Sequence, residues 1–295
     1  MHSGSLHKVR GMLNLRDLTP HTGVEVSNVD CAQNLPPSTV AELLRTLDER
    51  GVVLLRGQTL TMAKFMAFAR ALGPLVAHPY PHLSHGDFPE LILNSNVADD
   101  GKPGAVPESG RHWQSDGAHQ KMPHRLTVQY AVEIPAHGGT PLGDTVFAHT
   151  GAAYDALPPD LRQLLPGMHA QHTGGPVHKW RTTPYFADAG MTRIFRGGAV
   201  HPVVRTHPVT RRKCLFVAPA SAVSVRGMHD RDSRELLAQL HEHLANPAFH
   251  YRHVWQVGDV LLWDNCSMQY RVDDNYAPPL RRVLYRAMVK GAPAH

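Results

Sequence analysis

Apolar residues recur along this chain first with a helical and then with a strand period. After Thr39, Leu43, Leu44 and Leu47 fall at the three- and four-residue intervals of one helix face. Thr39 and Glu42 have the spacing of a capping box, which predicts a helix starting there and ending by Gly51. The run Gly51-Val-Val-Leu-Leu-Arg-Gly57 is continuous, short and bounded by glycines, the pattern of a buried strand. A second amphipathic helix is predicted from Thr61 to Leu72, closed by Gly73 and Pro74.

Beyond Pro74 the pattern changes to short runs rich in β-branched residues between Gly, Pro and Asn. Strands are expected at residues 91–94, 126–132, 197–206, 215–217, 258–263 and 282–289. Two helical periods interrupt them, Ala152 to Leu165 and Ser233 to Leu244, the latter carrying Leu236, Leu237, Leu240 and Leu244. Many strands with a few helices, mostly early, give a mainly β chain with helical buttresses, an α+β arrangement in which jelly roll and sandwich both remain open. No repeat, low-complexity linker or shift in composition marks a boundary, so residues 1–295 are read as one domain.

Composition narrows the class without naming a function. With 42% hydrophobic and 19% charged residues the chain is ordinary globular material, and no apolar run is long enough to span a bilayer. The N-terminus lacks the apolar core of a secretory signal, so a cytoplasmic protein is expected. Cys31, Cys214 and Cys266 are odd in number and lack CxxC spacing, which argues against a disulfide framework or a zinc knuckle. A net charge of +5 suits an anionic ligand, but the basic residues are scattered, so neither nucleic acid nor membrane is an expected partner. The 22 histidines sit largely in His-Pro and loop contexts, and their number alone does not indicate metal.

Four segments, in order, carry a more specific signal: Val53 to Thr61; His78-Pro-Tyr80-Pro; Trp113-Gln114-Ser115-Asp116 followed by Gly143-Asp144-Thr145; and a C-terminal block. That block comprises His201-Pro-Val-Val-Arg-Thr-His-Pro, Gly258-Asp-Val-Leu-Leu-Trp-Asp-Asn265 and Arg281-Arg282-Val-Leu-Tyr-Arg286. Together they resemble the taurine dioxygenase (TauD/TfdA) family of iron and 2-oxoglutarate dependent oxygenases. The resemblance implies a double-stranded β-helix, or jelly roll, and a small-molecule carboxylate substrate; family members commonly associate, which makes a homo-oligomer an expectation of the same kind.

Residue by residue, the resemblance implies an altered metal site. The family holds iron with the histidine and aspartate of Trp-His-x-Asp plus a distal histidine, a facial triad with open positions. Asp116 matches the carboxylate, Gln114 stands at the first histidine, and the distal position falls on Tyr270. The family's grip on 2-oxoglutarate maps to Thr145 and Arg286, with Arg282 as a second arginine, and its substrate contacts map to His78, Tyr80 and Trp113. Iron and 2-oxoglutarate are therefore the implied cofactors, yet an amide is a weaker donor than imidazole and a phenol must first lose its proton, which counts against iron. His112 and His119 are the nearby histidines that enter as substitute ligands.

Three readings follow. In the first, the chain is an enzyme without iron that performs non-oxidative chemistry on a small carboxylate-bearing metabolite in a biosynthetic setting. Asp116, with no cation beside it and its pKa raised by burial, is then the acid or base, Tyr270 the hydrogen-bond donor and Arg286 the carboxylate anchor. In the second, an altered set including Asp116, Tyr270 and Gln114 holds a metal for a 2-oxoglutarate-dependent oxygenase. In the third, the chain is a non-catalytic ligand-binding or regulatory relative.

Overall fold

The computed structural model describes residues 12–77, 85–97, 110–174 and 198–294. His78 and Tyr80 lie outside these residues. The first helix runs from Pro37 to Arg50 and stops where Gly51 turns left-handed at φ +73°. Its start differs from the capping-box expectation: Pro36 is the N-cap and proline occupies the first turn, where a missing N–H costs nothing, so Thr39 lies inside the helix. The second helix, Met62–Ala71, begins as predicted, with the Thr61 side chain accepting from the Lys64 amide.

Seven strands form the main sheet, in the order Leu15–Asp17, Val24–Val26, Val52–Leu55, Val260–Asp264, Leu126–Glu133, Val283–Val289 and Ile92–Ser95. Alternation along each strand divides its two faces. Val53, Leu55, Val260 and Leu262 pack outward against Leu43, Leu47, Phe65 and Met66 of the two helices. Val52, Leu54, Leu261 and Trp263 point inward, where they meet Phe147, Tyr251 and Tyr270. Those inward partners belong to a second sheet, Thr145–His149 flanked by His250–His253 and Met268–Val272. Two facing sheets around one apolar core, antiparallel except where Val24–Val26 runs parallel to Val52–Leu55, make a double-stranded β-helix, buttressed on one side by helices.

The predicted helix at residues 152–165 is two short helices, Thr150–Asp155 and Pro159–Leu164. The cause is the Leu157-Pro158-Pro159 sequence, because proline cannot donate to the preceding turn. The predicted strand at 197–206 likewise divides at Val203 into Gly198–Pro202 and Val204–Thr206, which pair with different neighbours. A third apolar cluster joins this region to the Asp230–Leu244 helix through Leu236, Leu237 and Leu240. Among the described residues no helix is long and apolar enough to cross a membrane.

A buried ionic clamp ties the first helix to the main sheet. Arg125 bonds Asp264 at 2.7 Å and also pairs with Asp48, while His207 holds the second Asp264 oxygen at 2.9 Å. Trp263, adjoining this clamp and fully buried, contacts Phe147 and Tyr270 across the barrel. Trp263→Ala is expected to lower the unfolding free energy by about 3–5 kcal/mol in urea titrations. Val257→Ala, at a position 63% exposed, is expected to stay within about 0.5 kcal/mol of the parent.

Candidate active site

Gln114 and Tyr270 exchange both main-chain hydrogen bonds at 2.9 Å, as directly opposed residues of an antiparallel pair do. Asp116, two residues past Gln114, completes the three positions of the implied triad. The structure therefore brings together the residues that the sequence motif put 154 positions apart. Its contents, however, are not those of a metal site.

Asp116 is buried and both of its oxygens are engaged. Oδ1 receives Arg286 Nη2 at 2.5 Å and the Tyr270 hydroxyl at 2.9 Å, while Oδ2 receives the Thr127 hydroxyl at 2.5 Å. Arg286 also donates to the Tyr270 oxygen at 3.0 Å, closing a triangle of carboxylate, phenol and guanidinium. Behind them Asn265 donates to Thr127 at 3.0 Å and accepts from the Asp116 amide at 3.3 Å. Sequence reasoning did not single out Thr127 or Asn265 as supports for Asp116; the signal for them lies in strand register, with Asp264 opposite Leu126 and Trp263 opposite Thr127.

This arrangement corrects the expectation of a cation-free Asp116 with a raised pKa. Burial does push the carboxyl upward, but the charge of Arg286 and the Thr127 hydrogen bond outweigh it and leave the pKa below the ordinary value. Asp116 is thus a fixed carboxylate at neutral pH and does not serve as a general acid. For Tyr270 burial dominates over the opposing charge of Arg286, so the phenol keeps its proton. Arg286 loses some of its basicity to burial and regains more from Asp116, so it stays cationic.

Ferrous iron does not fit these residues. The one carboxylate is saturated by hydrogen bonds, the phenol is protonated, Gln114 offers a neutral amide, and a guanidinium already lies where the added positive charge would go. His112 is exposed and does not join Asp116, and His119 is only partly buried. Among the described residues one trio, His207, Asp264 and Cys266, lies close enough together to share an ion. Its Asp264 oxygens are already taken by Arg125, His207, Ser267 and the Cys266 amide, so it reads as part of the structural clamp.

The two arginines divide differently from the expectation that paired Thr145 with Arg286. Four residues of extended chain separate Arg282 from Arg286 by about 13 Å, so one cannot stand in for the other. Arg286 is committed to Asp116, whereas Arg282 lies within 5.9 Å of the Trp255 ring, and the Trp255 indole N–H donates to Thr145 Oγ1 at 2.9 Å. Arg282 is buried, its Nε and Nη2 have no hydrogen-bond partner, and burial draws its pKa down. A buried guanidinium with unmet donors has the chemistry to bind an anion. Trp113 is partly buried, with its ring 4.8 Å from His250 and Arg271 5.5 Å over it, and it adjoins these residues instead of Asp116.

Comparison with known proteins agrees with the fold. The model of the "Taurine catabolism dioxygenase TauD, TfdA family" matches residues 14–288. An alpha-ketoglutarate-dependent 2,4-dichlorophenoxyacetate dioxygenase from Cupriavidus pinatubonensis is 34% identical over 285 residues, covering 92% of this chain and 95% of that protein. Pentalenolactone F synthase from Streptomyces arenae is 27% identical, covering 89% and 90% respectively. Among solved structures, a taurine dioxygenase from Burkholderia xenovorans superposes with a TM-score of 0.78 at 28% identity, covering 96% of this chain and 91% of that one.

Two outcomes follow from the electrostatics. Arg286→Met strands the Asp116 charge and is expected to cost about 3–5 kcal/mol of stability, most of it recovered by adding Asp116→Asn; additive losses in that double-mutant cycle would contradict the ion pair. His124 and His149 are held neutral, burial pushing each pKa down to about 4. Their unfolded value is near 6.5. Between those values the unfolded chain binds protons that the folded chain refuses, so their contribution is complete above the unfolded pKa and is lost as pH falls through this window. Calorimetric melting midpoints are expected to drop by several degrees from about pH 7 to about pH 5, and a flat profile would contradict burial of the neutral rings.

Proposed function

The chain belongs to the taurine catabolism dioxygenase TauD, TfdA family of enzymes, and on that premise we propose that it is an iron-independent member acting on a small carboxylate-bearing metabolite by non-oxidative chemistry. The observation that carries this reading is the Arg286–Asp116 contact of 2.5 Å, with Tyr270 bonded to both partners. A fixed cation and a protonated phenol fill the site that the family's metal would need.

Each residue then has a role that its geometry supports. Arg282, with Nε and Nη2 unmet, and Thr145 receive the ligand carboxylate. Arg286, whose Nε is buried and unpartnered, can meet negative charge developing on the bound acid, a form of stabilisation that needs no metal. Asp116 acts through it: its carboxylate holds the guanidinium in place, keeps it charged and accepts the single Tyr270 hydroxyl proton. The reaction classes compatible with this set are proton transfer, elimination, isomerisation and cyclisation, in which donors stabilise an oxyanion and no electrons leave the substrate.

Several relatives carry alpha-ketoglutarate in their names, which makes 2-oxoglutarate the natural first probe of the Arg282 pocket. The test is metal analysis of protein purified anaerobically and reconstituted with ferrous iron, with succinate formation from 2-oxoglutarate assayed on the same sample. No stoichiometric metal, no succinate, and metal-independent calorimetric binding of 2-oxoglutarate that weakens at least about tenfold in Arg282→Ala are expected. Stoichiometric metal with succinate formation would instead establish an oxygenase with an altered ligand set and sink the proposal.

A further inference from the structure

One buried imidazole beside the Asp116–Arg286 pair takes no part in the interactions described so far. Neither Nδ1 nor Nε2 of His124 has a hydrogen-bond partner, although only 5% of the residue is exposed. Neutral imidazole has one N–H donor and one lone-pair acceptor, and a folded interior seldom leaves both unmet without a ligand or water to take them. The residue is bound through its amide to the Asp116 carbonyl, and the charges of Asp116 and Arg286 act on its ring.

The backbone around His124 is pinned on both sides. Its amide donates to the Asp116 carbonyl at 3.2 Å, and the next residue, Arg125, is held between Val289 and Asn265 by main-chain bonds of 2.9 and 3.1 Å. Gly117, at φ +72°, lies directly against the ring: a Cβ there would come within 2.8 Å of His124 Cδ2. On the other side, a Cβ at Gly291 would fall 1.9 Å from the Pro123 carbonyl oxygen. Two glycines thus let neighbouring backbone close on the segment that carries the imidazole. Rigid placement of this kind is what a binding group requires.

We propose that His124 is a ligand-binding residue of the Asp116 site, and that its ligand is a small organic acid carrying an oxo or hydroxyl oxygen in addition to its anchoring carboxylate. This rests on the carboxylate-binding reading given above. Around Asp116, the hydroxyls of Thr127 and Tyr270 already donate to the carboxylate, so the free donor and acceptor of His124, with the unmet Arg286 Nε, are open to a further polar group. A hydroxyl satisfies either ring nitrogen and an oxo group accepts from the ring N–H. A plain saturated diacid would leave the imidazole as unmet as it is now, and a site built to bond an oxygen discriminates against the analogue that lacks it. Burial keeps the ring neutral, which preserves both functions at physiological pH.

Calorimetric titration of the wild-type protein with 2-oxoglutarate, 2-hydroxyglutarate and glutarate tests the assignment. The oxygenated acids are expected to bind about tenfold more tightly than glutarate. In His124→Ala that preference should shrink to about twofold or less, and in His124→Gln, which keeps an amide donor and acceptor, part of it should return. Equal affinity of the wild type for all three acids, or an undiminished preference in His124→Ala, overturns the role of His124 while leaving the carboxylate pocket standing. No binding of any of the three acids, or binding indifferent to Arg282→Ala, overturns the pocket reading and the proposal with it. Should the variants fail to fold, nitrogen-15 NMR of the wild-type ring decides: the assigned His124 signals are expected to move with 2-oxoglutarate and not with glutarate, and unmoved signals refute the contact.

Discussion

A buried carboxylate needs compensation, and in this barrel Asp116 finds it in a guanidinium 2.5 Å away. That one contact decides the chemistry of everything around it. It keeps Asp116 ionised, fixes Arg286 against the inner wall, and gives the Tyr270 hydroxyl an acceptor and a donor at once. A divalent ion would have to displace the arginine and break the hydrogen bonds to both carboxylate oxygens. The barrel therefore holds a guanidinium against the carboxylate that matches the family's metal-binding aspartate.

The surrounding structure is organised to hold that contact still. Asp116 sits in a turn whose support comes from Thr127 and Asn265, each on a strand of the main sheet or at its end. Arg286 projects from the Val283–Val289 strand, which pairs along its length with the strand that carries Thr127. Apolar packing of Trp263, Phe147 and Tyr270 fixes the second sheet against the first, so the phenol meets the carboxylate without needing to reorganise. Arg282 and Thr145 are linked through Trp255, apart from the Asp116–Arg286 contact. The two arginines of this strand region thus have different surroundings, one paired with a carboxylate and the other with unmet donors.

Much of the architecture was legible in the chain because it depends on local period. The amphipathic helices and the longer strands of the main sheet follow from spacing alone, and two helix errors trace to proline: Pro36 and Pro37 moved a helix start, and Pro158 and Pro159 divided a predicted helix. Short strands such as His169–Thr173, His250–His253 and Met268–Val272 were not evident from spacing, and the strand expected at 215–217 lies at Lys213–Leu215. The site was legible in a different sense. Motif order located Gln114, Asp116, Thr145 and Tyr270, and it showed that both histidine positions carry other residues.

The sequence by itself determined which donor atoms exist, and hence that the implied iron triad is incomplete, because ligand identity is a property of residue type. It did not determine what replaces the ion. Whether Asp116 is a free acid or a paired carboxylate depends on how close a cation lies, and closeness arises from strand register between segments 170 residues apart in the chain. Strand pairing also committed Arg286 to Asp116 and left Arg282 with unmet donors, while the turn from Asp116 to His124 set His124 against Gly117. Electrostatic and hydrogen-bond energies change steeply over a few ångströms, and only the tertiary structure fixes distances on that scale.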